Sequence, residues 1–339
     1  MKKILVINVN WLGDVIFSSP VFKAIKAKYP QASVTCLGPL RVKEILEANQ
    51  FIDNIILFDD KGKERSLLAK LMLVLRLRRE KFDLAIILHR SMTRALFCFL
   101  AGIKVRVGYD TKNRRRLLTC PIKEPKEDLH RSDYYLNLIE KFGINVDDRR
   151  AFLSVKEEAA DKAGKILKNS GVDEGDYKVV INPGGNWGLK RWPKENFTSL
   201  IRKLNFDGDK KIIISGSDKD ADLANEIVHS LNFMPIILCG KLKTEELIAF
   251  LSKVDCVVSG DSGPLHIANA LGTATVGIFG PTSRKITSPR GVGRSVILQE
   301  DIGCNREPCY FLECPRNLCM EAVTAEEVYQ AVNMIKKGA

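Results

Sequence analysis

Two α/β domains in succession, each an open parallel sheet covered by helices, are what this sequence predicts. Three observations carry the prediction. Strand-like apolar runs alternate with helix-like segments, the pattern of a parallel sheet with helical crossovers. The alternation lapses around residues 150–177 and then begins again. A length of 339 residues is about twice that of one domain, and 45% apolar residues suffice for two ordinary cores.

The elements follow in order. Residues 3–9 are apolar and follow Met1-Lys2-Lys3, as a secretory signal would begin. The run is short, however, and meets Asn10, Trp11, Gly13 and Asp14, so a buried first strand is the better reading. A helix is expected over 15–29, with strands at 33–37 and 54–58. Residues 67–79 form a helical pattern that is apolar nearly all round, with basic residues gathered at its C-terminal end. That favours a buried helix whose end suits the macrodipole, with a membrane-facing patch as the alternative. Residues 67–77 contain Lys70 and Arg76 and fall far short of the roughly 20 residues that span a bilayer, so a cytoplasmic protein is expected. Strands at 84–88 and 105–108 follow, then a polar stretch at 123–128 and a helix at 131–142 that stops at Gly143. In the second series, strands are expected at 179–182, 211–215, 235–238, 256–259 and 275–279, and a last helix at 324–336. The domains are placed at 1–160 and 161–339. There is no internal repeat or low-complexity tract. Open parallel sheets bind ligands at the C-terminal ends of their strands, so two Rossmann-like halves around a central cleft are expected.

The formal charge of +12 is unevenly placed. Residues 1–150 hold 29 Lys+Arg against 17 Asp+Glu, whereas residues 151–339 hold 24 of each. The N-terminal half is therefore expected to meet something anionic: nucleic acid, a membrane surface or a phosphorylated substrate. Nine cysteines without a secretory signal point to thiols in a reducing compartment. Five lie in apolar or strand-like settings. Cys304, Cys309, Cys314 and Cys319 recur every fifth residue in a loop-like stretch with Pro308 and Pro315, which admits either a structural metal site or a reduced, redox-labile loop.

Four loops carry residues suited to chemistry. Asn8 to Asp14 joins the first strand to a helix, and on spacing alone Asp14 reads as that helix's N-cap. No G-x-G-x-x-G fingerprint is present, which argues against a dinucleotide-binding dehydrogenase. Ser259-Gly260-Asp261-Ser262-Gly263-Pro264-Leu265-His266 also joins a strand to a helix. Its small residues admit close approach, and a helix N-terminus with Pro264 in its first turn is a natural diphosphate site. Asp261 would repel phosphate, so it organises the loop or reaches a sugar hydroxyl, while His266 is either a core histidine or a ligand contact. Asn182 to Pro193 is a glycine-rich loop in which Lys190 can neutralise a departing diphosphate or simply sit in solvent. Ile214 to Asp220 resembles a ribose loop, since a carboxylate beyond a second strand accepts from ribose hydroxyls.

Asn10-Trp11-Leu12-Gly13-Asp14, Lys190-Arg191-Trp192-Pro193, Gly216-Ser217, Asp261-Ser262-Gly263 with His266, and Gly280-Pro281-Thr282, in that order, resemble glycosyltransferase family 9 over nearly the whole chain. Arg90-Ser91 through Ala101-Gly102 and Arg106-Val107-Gly108-Tyr109 are similar to the acceptor side of its lipopolysaccharide heptosyltransferases. The resemblance implies a GT-B fold and an inverting transfer that needs no metal or other cofactor. Heptose would move from ADP-L-glycero-D-manno-heptose to the inner core on a heptosyl-Kdo2-lipid A acceptor. By the same resemblance, Asp14 is the base and Lys190, Asp261, Ser262, Gly263 and His266 hold the donor diphosphate. Asp220 lies near the ribose, with Gly185, Asn186 and Leu242 as further donor contacts. The sequence departs from the commonest pattern at Pro264, where leucine is more usual. Gly13, Arg90, Arg94 and Arg106, with the Arg114-Arg115-Arg116 cluster, are candidates for the acceptor or for peripheral contact with the inner face of the cytoplasmic membrane. Two other classes are weighed. A nucleotide-sugar epimerase would need no anionic acceptor. A nucleic-acid-binding protein would show interleaved aromatic and basic residues or a helix-turn-helix pattern, and neither is present.

Overall fold

The computed structural model describes residues 1–59, 62, 64–304, 308–309 and 313–338. The chain divides into two compact units, Met1–Ser154 and Val155–Ala339. In the first, the order is β1 (Lys3–Ile7), α1 (Leu12–Phe17), α2 (Ser19–Lys28), β2 (Ser33–Gly38), α3 (Lys43–Glu47), β3 (Asn54–Leu57), α4 (Leu67–Glu80), β4 (Leu84–Ile87), α5 (Met92–Leu100), β5 (Val105–Tyr109), β6 (Cys120–Ile122) and α6 (Arg131–Lys141). The second runs α7 (Glu157–Asn169), β7 (Lys178–Asn182), α8 (Lys194–Phe206), β8 (Lys211–Ile214), α9 (Ala221–Val228), β9 (Ile236–Ile237), α10 (Thr244–Leu251), β10 (Cys256–Gly260), α11 (Gly263–Leu271), β11 (Ala274–Ile278), α12 (Arg284–Thr287), β12 (Ser295–Leu298), α13 (Leu318–Glu321) and α14 (Ala325–Lys336). The helix α7 opens the second unit, ahead of the expected boundary at residue 160.

Each unit holds a six-stranded sheet, ordered β3-β2-β1-β4-β5-β6 and β12-β11-β10-β7-β8-β9, with every pairing parallel. This is the α/β architecture the alternation predicts. In both sheets the chain starts at an inner strand, builds outward on one side and then crosses to the other. The loops after β1 and β4, and after β7 and β10, therefore stand at the switch points where such sheets take ligands. The strands are buried on both faces: Ile4 to Ile7, Leu84 to Ile87 and Val179 to Ile181 are closed to solvent. Beneath them, Leu73, Val74, Leu77, Phe58 and Phe97 build the core against one face of the first sheet.

Three elements differ from expectation. The helix expected over 15–29 is two, broken at Ser18-Ser19-Pro20. Proline has no N–H to donate to the preceding turn, and it sits in the first turn of α2, where none is required. Strands β6 and β12 escape the sequence reading, because β6 contains Pro121 and both lie at sheet edges where apolar alternation is weak. Helix α4 is buried on one face only. Leu73, Val74 and Leu77 face the core, while Leu67 and Leu68 are 84% and 70% exposed and Leu71, Met72 and Leu75 also face solvent. The helix follows the edge strand β3, and its outer side is left open to solvent.

Candidate active site

In the first unit the loop after β1 carries Asp14. It is not the N-cap of α1. That position falls to Trp11, which makes no side-chain cap, and Asp14 lies in the first turn, where a carboxylate suits the positive end of the peptide dipoles. Its carboxylate is about one-quarter exposed and stands 3.8 Å from the Arg131 Nε at the head of α6. One turn later on α6, Tyr135 is buried and hydrogen-bonds the same carboxylate. Burial first, and then the Asp14 charge, push its phenol well above its ordinary pKa, so the hydroxyl is the donor. Asp14 is thus held from the side by α6 while one edge faces water. Beside it, the Asn10 amide and His89 Nε2 approach to 3.0 Å, joining the loops after β1 and β4. Arg41 donates to the Asn10 carbonyl at 2.9 Å and lies 5.0 Å from the ring centroid of Trp11, which is 63% exposed.

The basic candidates separate by environment. Arg90 is half exposed and pairs with Glu124, which also accepts from the Tyr134 hydroxyl at 2.6 Å. Arg94 is 1% exposed, and its guanidinium lies 5.3 Å from the Phe58 ring. Arg106 spends its guanidinium on the carbonyls of Leu117 and Ile103. Arg114 is wholly buried and donates to the carbonyls of Tyr109, His89 and Ser91, so it ties the loop after β4 to β5. Arg115 and Arg116 face solvent, the former paired with Asp110 at 2.7 Å. Gly13 is half-buried next to Asp14.

In the second unit the loops after β7 and β10 meet, because those strands are neighbours. Lys190 Nζ donates to Asp261 Oδ2 at 2.7 Å, and His266 Nε2 lies 3.0 Å from Oδ1. Burial works against the Asp261 charge. The His266 hydrogen bond and the Lys190 ammonium outweigh it and hold the carboxyl well below the usual carboxylate range. His266 is buried behind Asp261, so here it supports the carboxylate. The Ser262 hydroxyl is turned 2.7 Å from that of Ser259 and does not cap α11. The N–H groups of Gly263 and Leu265 therefore open the helix with no side-chain cap, and Lys190 stands beside them. This is a cradle for an anion. Gly260 allows it, since a Cβ there would come within 2.6 Å of the Lys190 carbonyl.

Asp220, expected near a ribose, is buried. Its Oδ2 accepts from the Ser217 N–H at 2.9 Å and from the Ser217 hydroxyl at 2.6 Å. Arg191 lies 3.7 Å from its other oxygen and donates to the Gly185 carbonyl, so Asp220 braces the glycine-rich loop from beneath. Asn186 is exposed and Leu242 half-buried on the loop ahead of α10. The residues that sequence reasoning missed are Arg131, Tyr135, Arg41 and His89. All reach Asp14 or its loop from distant parts of the chain. Cys304, Cys309 and Cys319 are free thiols, and among the described residues no three His, Cys, Asp or Glu side chains gather as metal ligands would.

Comparison with known proteins gives the chain a family. Residues 71–313 match the model of glycosyltransferase family 9 (heptosyltransferase). The lipopolysaccharide heptosyltransferase 2 of Salmonella typhimurium is 26% identical over 306 residues, 85% of each chain. The lipooligosaccharide heptosyltransferase 2 of Campylobacter jejuni is 27% identical over 340 residues, 98% of this chain and 99% of its own. A family 9 glycosyltransferase from Veillonella parvula superposes with a TM-score of 0.88 at 21% identity, covering 100% of this chain and 98% of its own. The ADP-heptose lps heptosyltransferase II of E. coli superposes at 0.81 and 23% identity, with both chains fully covered.

Proposed function

The chain belongs to glycosyltransferase family 9, and from that premise we propose that it transfers heptose from ADP-L-glycero-D-manno-heptose to heptosyl-Kdo2-lipid A in building the lipopolysaccharide inner core. Heptose as the sugar and lipopolysaccharide as the acceptor class are supported by the heptosyltransferase 2 relatives, which match 85% and 98% of the chain. The observation that carries the chemistry is Asp14, a partly exposed carboxylate fixed by Tyr135 and Arg131.

In this reading Asp14 accepts the proton of an acceptor hydroxyl as its oxygen attacks the anomeric carbon. The bond from that carbon to the diphosphate breaks on the opposite face, which inverts the centre and releases ADP. The charge that grows on the diphosphate meets the uncapped N-terminus of α11 and the Lys190 ammonium, groups already in place before reaction. With that stabilisation supplied by the chain, we read the transfer as independent of metal. Ser262, Gly263 and Lys190 hold the diphosphate, Asp261 and His266 orient Lys190, and Gly185, Asn186 and Leu242 border the nucleoside. On the acceptor side we retain Gly13 and Arg90 as direct contacts and assign Arg94 and Arg106 to supporting the surfaces around them. A lipid-linked acceptor with phosphates and carboxylates also calls for a peripheral position on the cytoplasmic membrane, and it suits the basic first unit.

The test is transfer followed by mass spectrometry, offering ADP-heptose and other sugar nucleotides with heptosyl-Kdo2-lipid A. Asp14→Asn is expected to lower kcat by about 10² to 10⁴-fold, with ADP affinity unchanged by calorimetry. Near-normal turnover by that variant would sink the base assignment, and preference for another sugar nucleotide would sink the donor assignment.

A further inference from the structure

Helix α4 exposes a large apolar surface on the side away from the core. Its outer stripe, Leu67, Leu68, Leu71, Met72 and Leu75, recurs at i, i+1, i+4, i+5 and i+8. At 100° per residue these fall within about 140° of one another, opposite Leu73, Val74 and Leu77, which hold the helix to the core. Soluble chains scatter single apolar residues over their surface, whereas a contiguous stripe marks an interaction face. Basic residues frame this one. Arg76, Arg78 and Arg79 are exposed on its last turns, and no ion pair engages them among the described residues. The one acid in the helix, Glu80, pairs with Lys3 at 3.0 Å.

We propose that the outer face of α4 is a docking surface for an anionic lipid bilayer, on which the helix lies in the plane of the interface with its leucines among the acyl chains and its arginines at the headgroups. Charge decides between this occupant and a second copy of the chain. A symmetric dimer through α4 would bring together two faces with the same basic surplus, the one acid of each helix being paired with Lys3, whereas acidic headgroups complement that surplus. Topology gives the surface a purpose, and for that purpose alone the inference rests on the lipid-linked acceptor proposed above. In each βαβ crossover the helix starts at the C-terminal end of the sheet, so the most exposed leucines, Leu67 and Leu68, stand at the same end of the unit as the Asp14 loop after β1. A unit resting on α4 would keep that end close to the headgroups.

Co-sedimentation of the full chain with vesicles tests this without any acceptor. Binding is expected to phosphatidylglycerol–phosphatidylethanolamine vesicles but not to phosphatidylcholine, and to weaken with salt. The triple change Leu68→Gln, Leu71→Gln, Leu75→Gln should abolish binding. The pair Arg76→Glu, Arg79→Glu should weaken it by at least about twenty-fold. Both variants should keep the parent's melting temperature, since the altered side chains face solvent. Equal binding by parent and variants, or no binding by the parent, overturns the proposal. So does a concentration-dependent dimer in ultracentrifugation that the leucine changes abolish. Transfer to a deacylated, water-soluble acceptor should be the same in all variants. If the parent transfers to neither acceptor but binds vesicles through α4, the functional reading fails while the docking surface stands.

Discussion

The Asp14 and Asp261 carboxylates, both legible in the sequence as acids in strand-to-helix loops, owe much of their physical character to residues distant in the sequence, Arg131 and Tyr135 for the one and Lys190 for the other. Arg131 and Tyr135 reach Asp14 from more than a hundred residues away, and no local spacing announces such a contact. Spacing predicts an N-cap, yet the cap falls three residues earlier because the turn begins at Trp11. His266 reads from the sequence as a possible phosphate contact and turns instead to Asp261. The Asp261 pairing has a consequence for stability. Its carboxyl is held well below its ordinary value, so its contribution is fully present above the unfolded pKa of about 4 and is lost as pH falls through the lower folded value. Asp261→Asn removes the charge that Lys190 answers and should destabilise the second unit by about 3 kcal/mol at pH 7. In urea unfolding the gap between parent and variant should narrow steadily as the pH is taken below 4. A gap independent of pH would mean that the ion pair contributes nothing.

Elements were legible wherever apolar residues alternated or recurred clearly, so all strands but β6 and β12 could be located within a residue or two. Which face of a helix is covered was not legible, because that depends on what lies beneath it. Helix α4 has the composition of a buried helix, yet only one of its faces is covered. The glycine-rich loop after β7 shows the same limit on a smaller scale. Its glycines suggest close approach by a ligand, yet Gly184 is small because the Asp220 carboxyl occupies the space its Cβ would need. Gly184→Ala must push Asp220 away from the Ser217 hydroxyl and N–H, and with it Arg191, which carries the Gly185 carbonyl. The expected result is a loss of about 1 to 3 kcal/mol in stability and a raised KM for the sugar nucleotide with the acceptor KM unchanged. Gly185, with no atom near its missing Cβ, should accept alanine with no loss of stability.

Across the whole molecule the charge is divided as the work is proposed to be divided. Ala151 to Ser154 carry no charge, so the excess of 29 basic over 17 acidic residues belongs wholly to the unit Met1–Ser154, and the other unit is balanced at 24 of each. This was legible from composition alone. What composition could not show is how little of the excess is bound to the fold's interior. Arg94 and Arg114 are buried and Arg106 is spent on carbonyls, but Arg41, Arg115 and Arg116 remain at the surface. Exposed charges act over a Debye length, about 10 Å at 0.1 M salt and about 3 Å at 1 M, whereas a donor diphosphate would meet a fixed helix N-terminus and one lysine at contact distance. Raising sodium chloride from about 0.05 to about 0.5 M should therefore weaken acceptor binding by about tenfold or more while ADP affinity shifts by less than about threefold. Titration of each ligand separately at the two salt concentrations measures this. Equal salt slopes for donor and acceptor would mean that the surplus charge of the first unit takes no part in holding the acceptor.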